Sequence, residues 1–261
     1  MTFTPKVLAL DVDGTLVNDA NEMSPQVRDT VRTAAAAGLH IVISTGRSLP
    51  GVMDAVEKVG LDDGLAVASN GAVVFGYDPI EVLHTVTFDA REAVKLLLEH
   101  VPDAAVAVEE IGIGYRINKP FPDGEINGRM TVQSVDELVS EPVTRVIIRS
   151  PESSAEEFAE MARSLGLVGT NYFVGYTAWL DLAPEGVSKA SGMEIVTERL
   201  GMTSDDVLAI GDGDNDVEML EWAGRGVAMG QAPIAVQDVA DDVTETVEND
   251  GAAREIARYL P

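Results

Sequence analysis

Cysteine is absent from the 261-residue chain. Disulfides, thiolate metal sites and cysteine nucleophiles are therefore excluded, and the composition suits a reducing compartment. Basic residues are scarce: 18 Lys and Arg stand against 44 Asp and Glu, a formal charge of -26. The diffuse negative field repels DNA, RNA and anionic membrane surfaces, so neither nucleic acid nor membrane is an expected partner. It also opposes an anionic metabolite, so a phosphorylated substrate needs something local that inverts the sign of the site, most simply a divalent cation. Long apolar runs are missing too. The run Val7 to Leu10 ends at Asp11, far short of a signal-peptide core or a membrane span. The expectation is a soluble, cytoplasmic protein without repeats or low-complexity segments, whose 46% hydrophobic residues suffice for a sizeable core.

The N-terminal third alternates short apolar runs with helical patterns, as a parallel sheet wrapped by helices does. Val7 to Leu10 reads as a buried strand. Ser24 and Pro25 read as N-cap and first residue of a helix that Gly38 ends, and Leu39 to Ser44 as the second strand. A helix from about Pro50 to Gly60 follows, then a hairpin through Asn70-Gly71. From about Leu83 strands come in runs, at 82–87, 105–110, 113–117, 143–149 and 179–183, with helices at 89–99 and 153–165. Asp89 with Glu92 and Ser153 with Glu156 have capping-box spacing for those helices. Strict alternation returns with a helix at 187–200, a strand at 206–210, a helix at 215–222 and a strand near 226–229. The pattern predicts an α/β fold: a doubly wound, Rossmann-like parallel-sheet core at 1–82 and 184–261, split by an inserted α+β cap domain at 83–183.

Two acidic clusters follow buried strands. Asp11 and Asp13 come directly after the first, where an open α/β sheet binds ligands at its carboxyl edge. D-x-D-G is also an ordinary turn and the opening of a calcium loop. Glu22 would close a loop begun at Asp11, but Leu16 stands where such a loop needs glycine, which leaves calcium as a weak rival. The second cluster, GDGDND at 211–216, fails as a dinucleotide fingerprint because its third glycine would be Asp216. A solvated acidic turn explains either cluster alone; a metal site explains both. Thr45 and Gly46 offer a hydroxyl and backbone N–H groups suited to phosphate oxygens. Lys189 opens a helix, where its charge opposes the helix dipole; a solvated lysine is the ordinary explanation, and a nearby anion is the one its placement hints at.

In order and spacing, DVDGT (11–15), STGR (44–47), the lysine of GVSK (189) and GDGDND with EMLEWAGRGVAMG behind it (211–230) resemble the haloacid dehalogenase superfamily, and within it the Cof-like phosphatases of subclass IIB. The resemblance spans about residues 6–75 and 184–245. It implies that Asp11 is the nucleophile, forming an aspartyl-phosphate, and that Asp13 protonates the leaving oxygen and then activates water. It further implies Mg²⁺ held by Asp11, the Asp13 carbonyl and Asp212, with Asp216 as a further ligand or as their support. Lys189 would neutralise Asp11 and the transferring group, while Thr45 and Gly46 hold its oxygens. Arg47 and Asn215 would contact substrate or orient the loop, although a surface ion pair and a helix cap explain them as well. Asn70-Gly71 matches a family loop but equally a hairpin turn. One departure is Gln231, where the family usually has asparagine after Met-Gly.

The expected function is hydrolysis of a small phosphomonoester such as a sugar phosphate, by a monomer or small homo-oligomer whose insert closes as a lid. A phosphosugar mutase is the alternative on the same fold. A phospho-accepting signalling module is the non-enzyme alternative, although an insert at 83–183 has no purpose there.

Overall fold

The computed structural model describes residues 3–150, 153–165, 170–174 and 178–260. It divides the chain into two units, one of residues 1–47, 51–84 and 188–261, the other of 48–50 and 85–187.

The first unit begins with β1 (Val7–Leu10), all four residues of which are buried, as a strand covered on both faces requires. Helix α1 (Pro25–Ala36) starts where Ser24 Oγ accepts from Val27 N at 3.1 Å, and it leads to β2 (His40–Ser44). Helix α2 (Leu49–Val59), β3 (Leu65–Ala68), β4 (Val73–Tyr77) and β5 (Ile80–Thr85) follow.

The second unit contains α3 (Arg91–His100), β6 (Ala105–Glu110), β7 (Gly114–Ile117), β8 (Arg129–Val132), α4 (Val135–Leu138), β9 (Val146–Arg149), α5 (Ala155–Ser164), β10 (Thr170–Val174) and β11 (Trp179–Pro184). The chain then returns to the first unit with α6 (Lys189–Leu200), β12 (Val207–Gly211), α7 (Val217–Trp222), β13 (Arg225–Ala228), α8 (Ile234–Gln237), β14 (Asp242–Val243) and α9 (Gly251–Ala257).

The first unit's eight strands form one sheet in the order β14-β13-β12-β1-β2-β3-β4-β5. From β14 to β3 the pairs are parallel, and β3 to β4 is antiparallel. Val7, Ala9, Val42, Val67, Val207 and Ala209 pack one sheet face against Met193 and Val196 of α6 and Met219 and Leu220 of α7. The second unit has a six-stranded sheet, β10-β11-β9-β6-β7-β8, antiparallel except between β7 and β8. One face is apolar, with Val106, Val108, Val146, Ile148, Leu180 and Leu182 packed against Val94, Leu97 and Phe158. On the alternate positions Arg145 makes a buried fork to Asp181, Nε to Oδ1 at 2.7 Å and Nη2 to Oδ2 at 3.0 Å, and donates to Tyr115 Oη at 3.0 Å.

Several expectations are corrected. The strand placed at 82–87 runs from Ile80 to Thr85 and is the edge of the first sheet, not part of the insert. The Asp89–Glu92 box does not form; Asp89 accepts from the backbone N–H and guanidinium of Arg91 instead, and Ala90 is the N-cap. The other box sits one residue later, on Ser154 and Glu157, and an unforeseen third joins Ser134 to Glu137. The hairpin turn is longer than Asn70-Gly71, with Ser69, Asn70 and Gly71 all at positive φ.

Candidate active site

Register builds the site. β1 lies between β12 and β2, with Leu10 opposite Ile210 on one side and Ile43 on the other. The residues that follow, Asp11, Asp212 and Thr45, therefore emerge side by side at the carboxyl edge, where the strand order reverses. Asp11 N donates to Ile210 O at 3.0 Å and Thr45 N to Val67 O at 2.9 Å, which fixes the two exits.

The carboxylates of Asp11, Asp212 and Asp216 each offer an oxygen within 4.8 Å of the others, and all three residues are buried. Lys189, wholly buried, donates to Asp11 Oδ1 at 2.7 Å and to Asp216 Oδ1 at 2.6 Å. Its place at the start of α6 thus has its anion. Asp216 Oδ2 accepts from Asp212 N at 3.0 Å and Gly213 N at 2.9 Å, which ties the GDGDND turn to itself.

Three carboxylates against one ammonium leave the pocket short of positive charge. Burial, then the charge of Asp216, hold the Asp11 carboxyl well above its ordinary range against the opposing pull of Lys189. Burial and Asp216 likewise push Asp212 up to about 6. Burial alone would lower the Lys189 ammonium, but Asp11 and Asp216 outweigh it and raise it. This donor set fits a hard divalent cation: clustered carboxylate oxygens, carrying more negative charge than the protein neutralises. The backbone makes room for it, since at Gly14, with φ +77°, a Cβ would lie 2.1 Å from Asp212 Oδ2.

Asp13 stands apart from the cluster. Its side chain is 64% exposed and lies in the fork of Arg47, Nε to Oδ2 at 2.9 Å and Nη2 to Oδ1 at 2.5 Å. Arg47 also reaches Asn21 Oδ1 at 2.9 Å and Asp54 Oδ2 at 3.3 Å. Buried Thr45 accepts from Arg47 N at 3.2 Å through Oγ1. Asn215 Nδ2 donates to Asn70 Oδ1 at 2.9 Å, and a Cβ on Gly46 would meet both side chains.

All nine residues singled out in the sequence thus stand at or beside one sheet edge. Two more join them. Asn70 reaches the site by the left-handed turn after β3, whose Gly71, at φ +103°, lies so close to Ser188 O that a Cβ would sit 2.0 Å from it. Gln231 arrives behind β13, with Nε2 2.6 Å from Gly14 O. The Asn-Gly pair and the departure from Met-Gly-Asn are the two signals that marked them.

No helix among the described residues is long and apolar enough to cross a membrane. A family model described as haloacid dehalogenase-like hydrolase matches residues 8–256. A 5-amino-6-(5-phospho-D-ribitylamino)uracil phosphatase of Bacillus subtilis is 28% identical over 98% of this chain and 96% of its own. A phosphoglycolate phosphatase of Natronomonas pharaonis is 31% identical over 94% and 93%. Among solved structures, the phosphatase BT1666 of Bacteroides thetaiotaomicron has a TM-score of 0.81 at 29% identity, covering 99% of this chain and 96% of its own. The subclass IIB sugar phosphatase BT4131 also has a TM-score of 0.81, at 26% identity over 97% and 98%. A match over nearly the whole chain, on a fold that gathers these residues at one edge, means that the chain belongs to the haloacid dehalogenase-like hydrolases, in their Cof-like subclass IIB, and is a phosphoric monoester hydrolase.

Proposed function

We propose that the protein hydrolyses a small phosphorylated metabolite by transfer of the phosphoryl group to Asp11, with Mg²⁺ as cofactor. The observation that carries this reading is the buried Asp11–Lys189–Asp216 triad beside Asp212. It presents a carboxylate oxygen as nucleophile next to a fixed cation at the end of a parallel strand.

Asp11, Asp212 and the backbone carbonyl of Asp13 would hold the metal, with Asp216 supporting the loop. When bound, the ion neutralises charge on the phosphate and the carboxylates facing it. Asp11 attacks phosphorus as the bond to the leaving oxygen breaks, giving an aspartyl-phosphate. Lys189 keeps one Asp11 oxygen paired, which orients the other. Asp13, released from Arg47 and protonated from solvent, gives that proton to the leaving oxygen and then takes one from the water that attacks phosphorus, which breaks the bond to Asp11 and frees inorganic phosphate. Thr45 and the Gly46 amide receive phosphate oxygens, and Arg47, once free of Asp13, adds a planar fork of donors for them. The Asn70–Asn215 pair borders the same edge. Two relatives are phosphatases of phosphoribityl and glycolate esters by name, which supports a small organic phosphate as substrate.

A panel of phosphorylated metabolites assayed for released phosphate, with Mg²⁺ and after chelation, tests the proposal. Metal-dependent release of inorganic phosphate over many turnovers is expected. Transfer of the group within a sugar without release would make the protein a mutase, and a stable single phosphorylation would make it a signalling module.

A further inference from the structure

Gln231 stands where the motif resemblance leads one to expect asparagine, and its amide is fully used. Nε2 donates to Gly14 O at 2.6 Å and to Asp212 Oδ2 at 3.2 Å, while Oε1 accepts from Val247 N at 3.0 Å. These partners fix the amide's orientation, because the flipped form would set its oxygen against two acceptors and its NH₂ against a donor. Three segments meet on this one side chain: the loop after β1, the loop after β12, and the turn that opens at Val247. Among the described residues, Gln231 is the only hydrogen-bond donor to the Asp212 carboxylate. Asp212 lies so near Gly14 that no side chain fits between them, so a small rotation of Asp212 would bring it into the DVDGT backbone.

We propose that Gln231 is a positioning residue for the cation site, which aims the Asp212 carboxylate and holds the Gly14 carbonyl so that the two acidic loops keep one mutual geometry. This rests on the metal assignment above. Partners that orient a ligating carboxylate typically account for about ten- to a hundredfold in metal affinity. Because Gln231 is exposed, its replacement leaves the core untouched.

The test is titration of the chelated full-length protein with MgCl₂ alone, followed by calorimetry, for wild type, Gln231→Met and Gln231→Ala. The methionine keeps the length of the side chain and removes both donor and acceptor. Each variant should melt near the wild-type temperature without metal yet bind Mg²⁺ about tenfold more weakly. If the wild type binds Mg²⁺ and either variant binds it equally well, the role of Gln231 is overturned. A wild type that takes up no Mg²⁺ overturns the metal assignment itself, and this inference with it.

Discussion

Replacing Lys189 by methionine removes the one ammonium among three buried carboxylates while keeping most of the apolar stem. Two short bonds are lost, 2.7 Å to Asp11 and 2.6 Å to Asp216, from a group with no exposed surface. Breaking a buried ion pair by deleting one partner costs about 3–5 kcal/mol, because the remaining charge stays desolvated. For a domain of this size that is a fall of roughly 6–20 °C in melting temperature. The loss depends on pH with a definite sign. Without Lys189, Asp11 loses the neighbour that lowers its pKa, so the folded variant binds protons more readily than the folded wild type. Acid therefore relieves the variant, and its deficit should be largest near pH 8 and shrink toward about pH 5. Urea unfolding of the chelated protein, followed by far-UV circular dichroism at several pH values, reads both effects. A deficit below about 1 kcal/mol, the scale of a surface pair, or one that does not change with pH, would refute the reasoning.

Two further outcomes follow from the same physics. Asp212 is raised to about 6 and Asp11 is raised as well, so protonation stabilises the metal-free protein; that contribution is complete below the ordinary carboxylate range and is lost as pH rises through about 6. Mg²⁺ competes with those protons, so the melting-temperature gain on adding MgCl₂ should grow from about pH 5 to pH 7.5, and a gain independent of pH would contradict the assignment of these ligands. In the second unit, Arg145→Met leaves Asp181 buried without its fork and should cost about 3–5 kcal/mol, read as early loss of amide-exchange protection in β9 and β11. Unchanged protection there would show that the pair is not structural.

Much of the core and of the site could be read from residue order. The strands β1, β2 and β12 are short, wholly or almost wholly buried runs ending in turn residues, and parallel pairing of such runs brings their following residues together. Lys189 declared itself by opposing a helix dipole. What escaped depends on contacts that no local pattern encodes. β8 is exposed at every residue and exists through its backbone pairing with β7, so it carries no periodicity. β5 is an edge strand whose side chains are mostly exposed, so nothing in its pattern says which sheet it joins. Adjacent Ser153 and Ser154 each have a glutamate three residues on, and the cap formed on the second. Asn70 and Gln231 are marked in the sequence, but their partners, 145 and 217 residues away along the chain, are supplied only by the folded sheet edge.

The central claim is that Asp11 carries the phosphoryl group. A rapid acid quench during turnover of a phosphomonoester radiolabelled in its phosphate, in the presence of Mg²⁺, tests it most directly. Wild-type protein should retain label in an acyl-phosphate-sensitive linkage on the peptide containing Asp11, and Asp11→Asn should retain none and release no phosphate. Wild-type turnover by Asp11→Asn, or label on any other residue, would contradict the account.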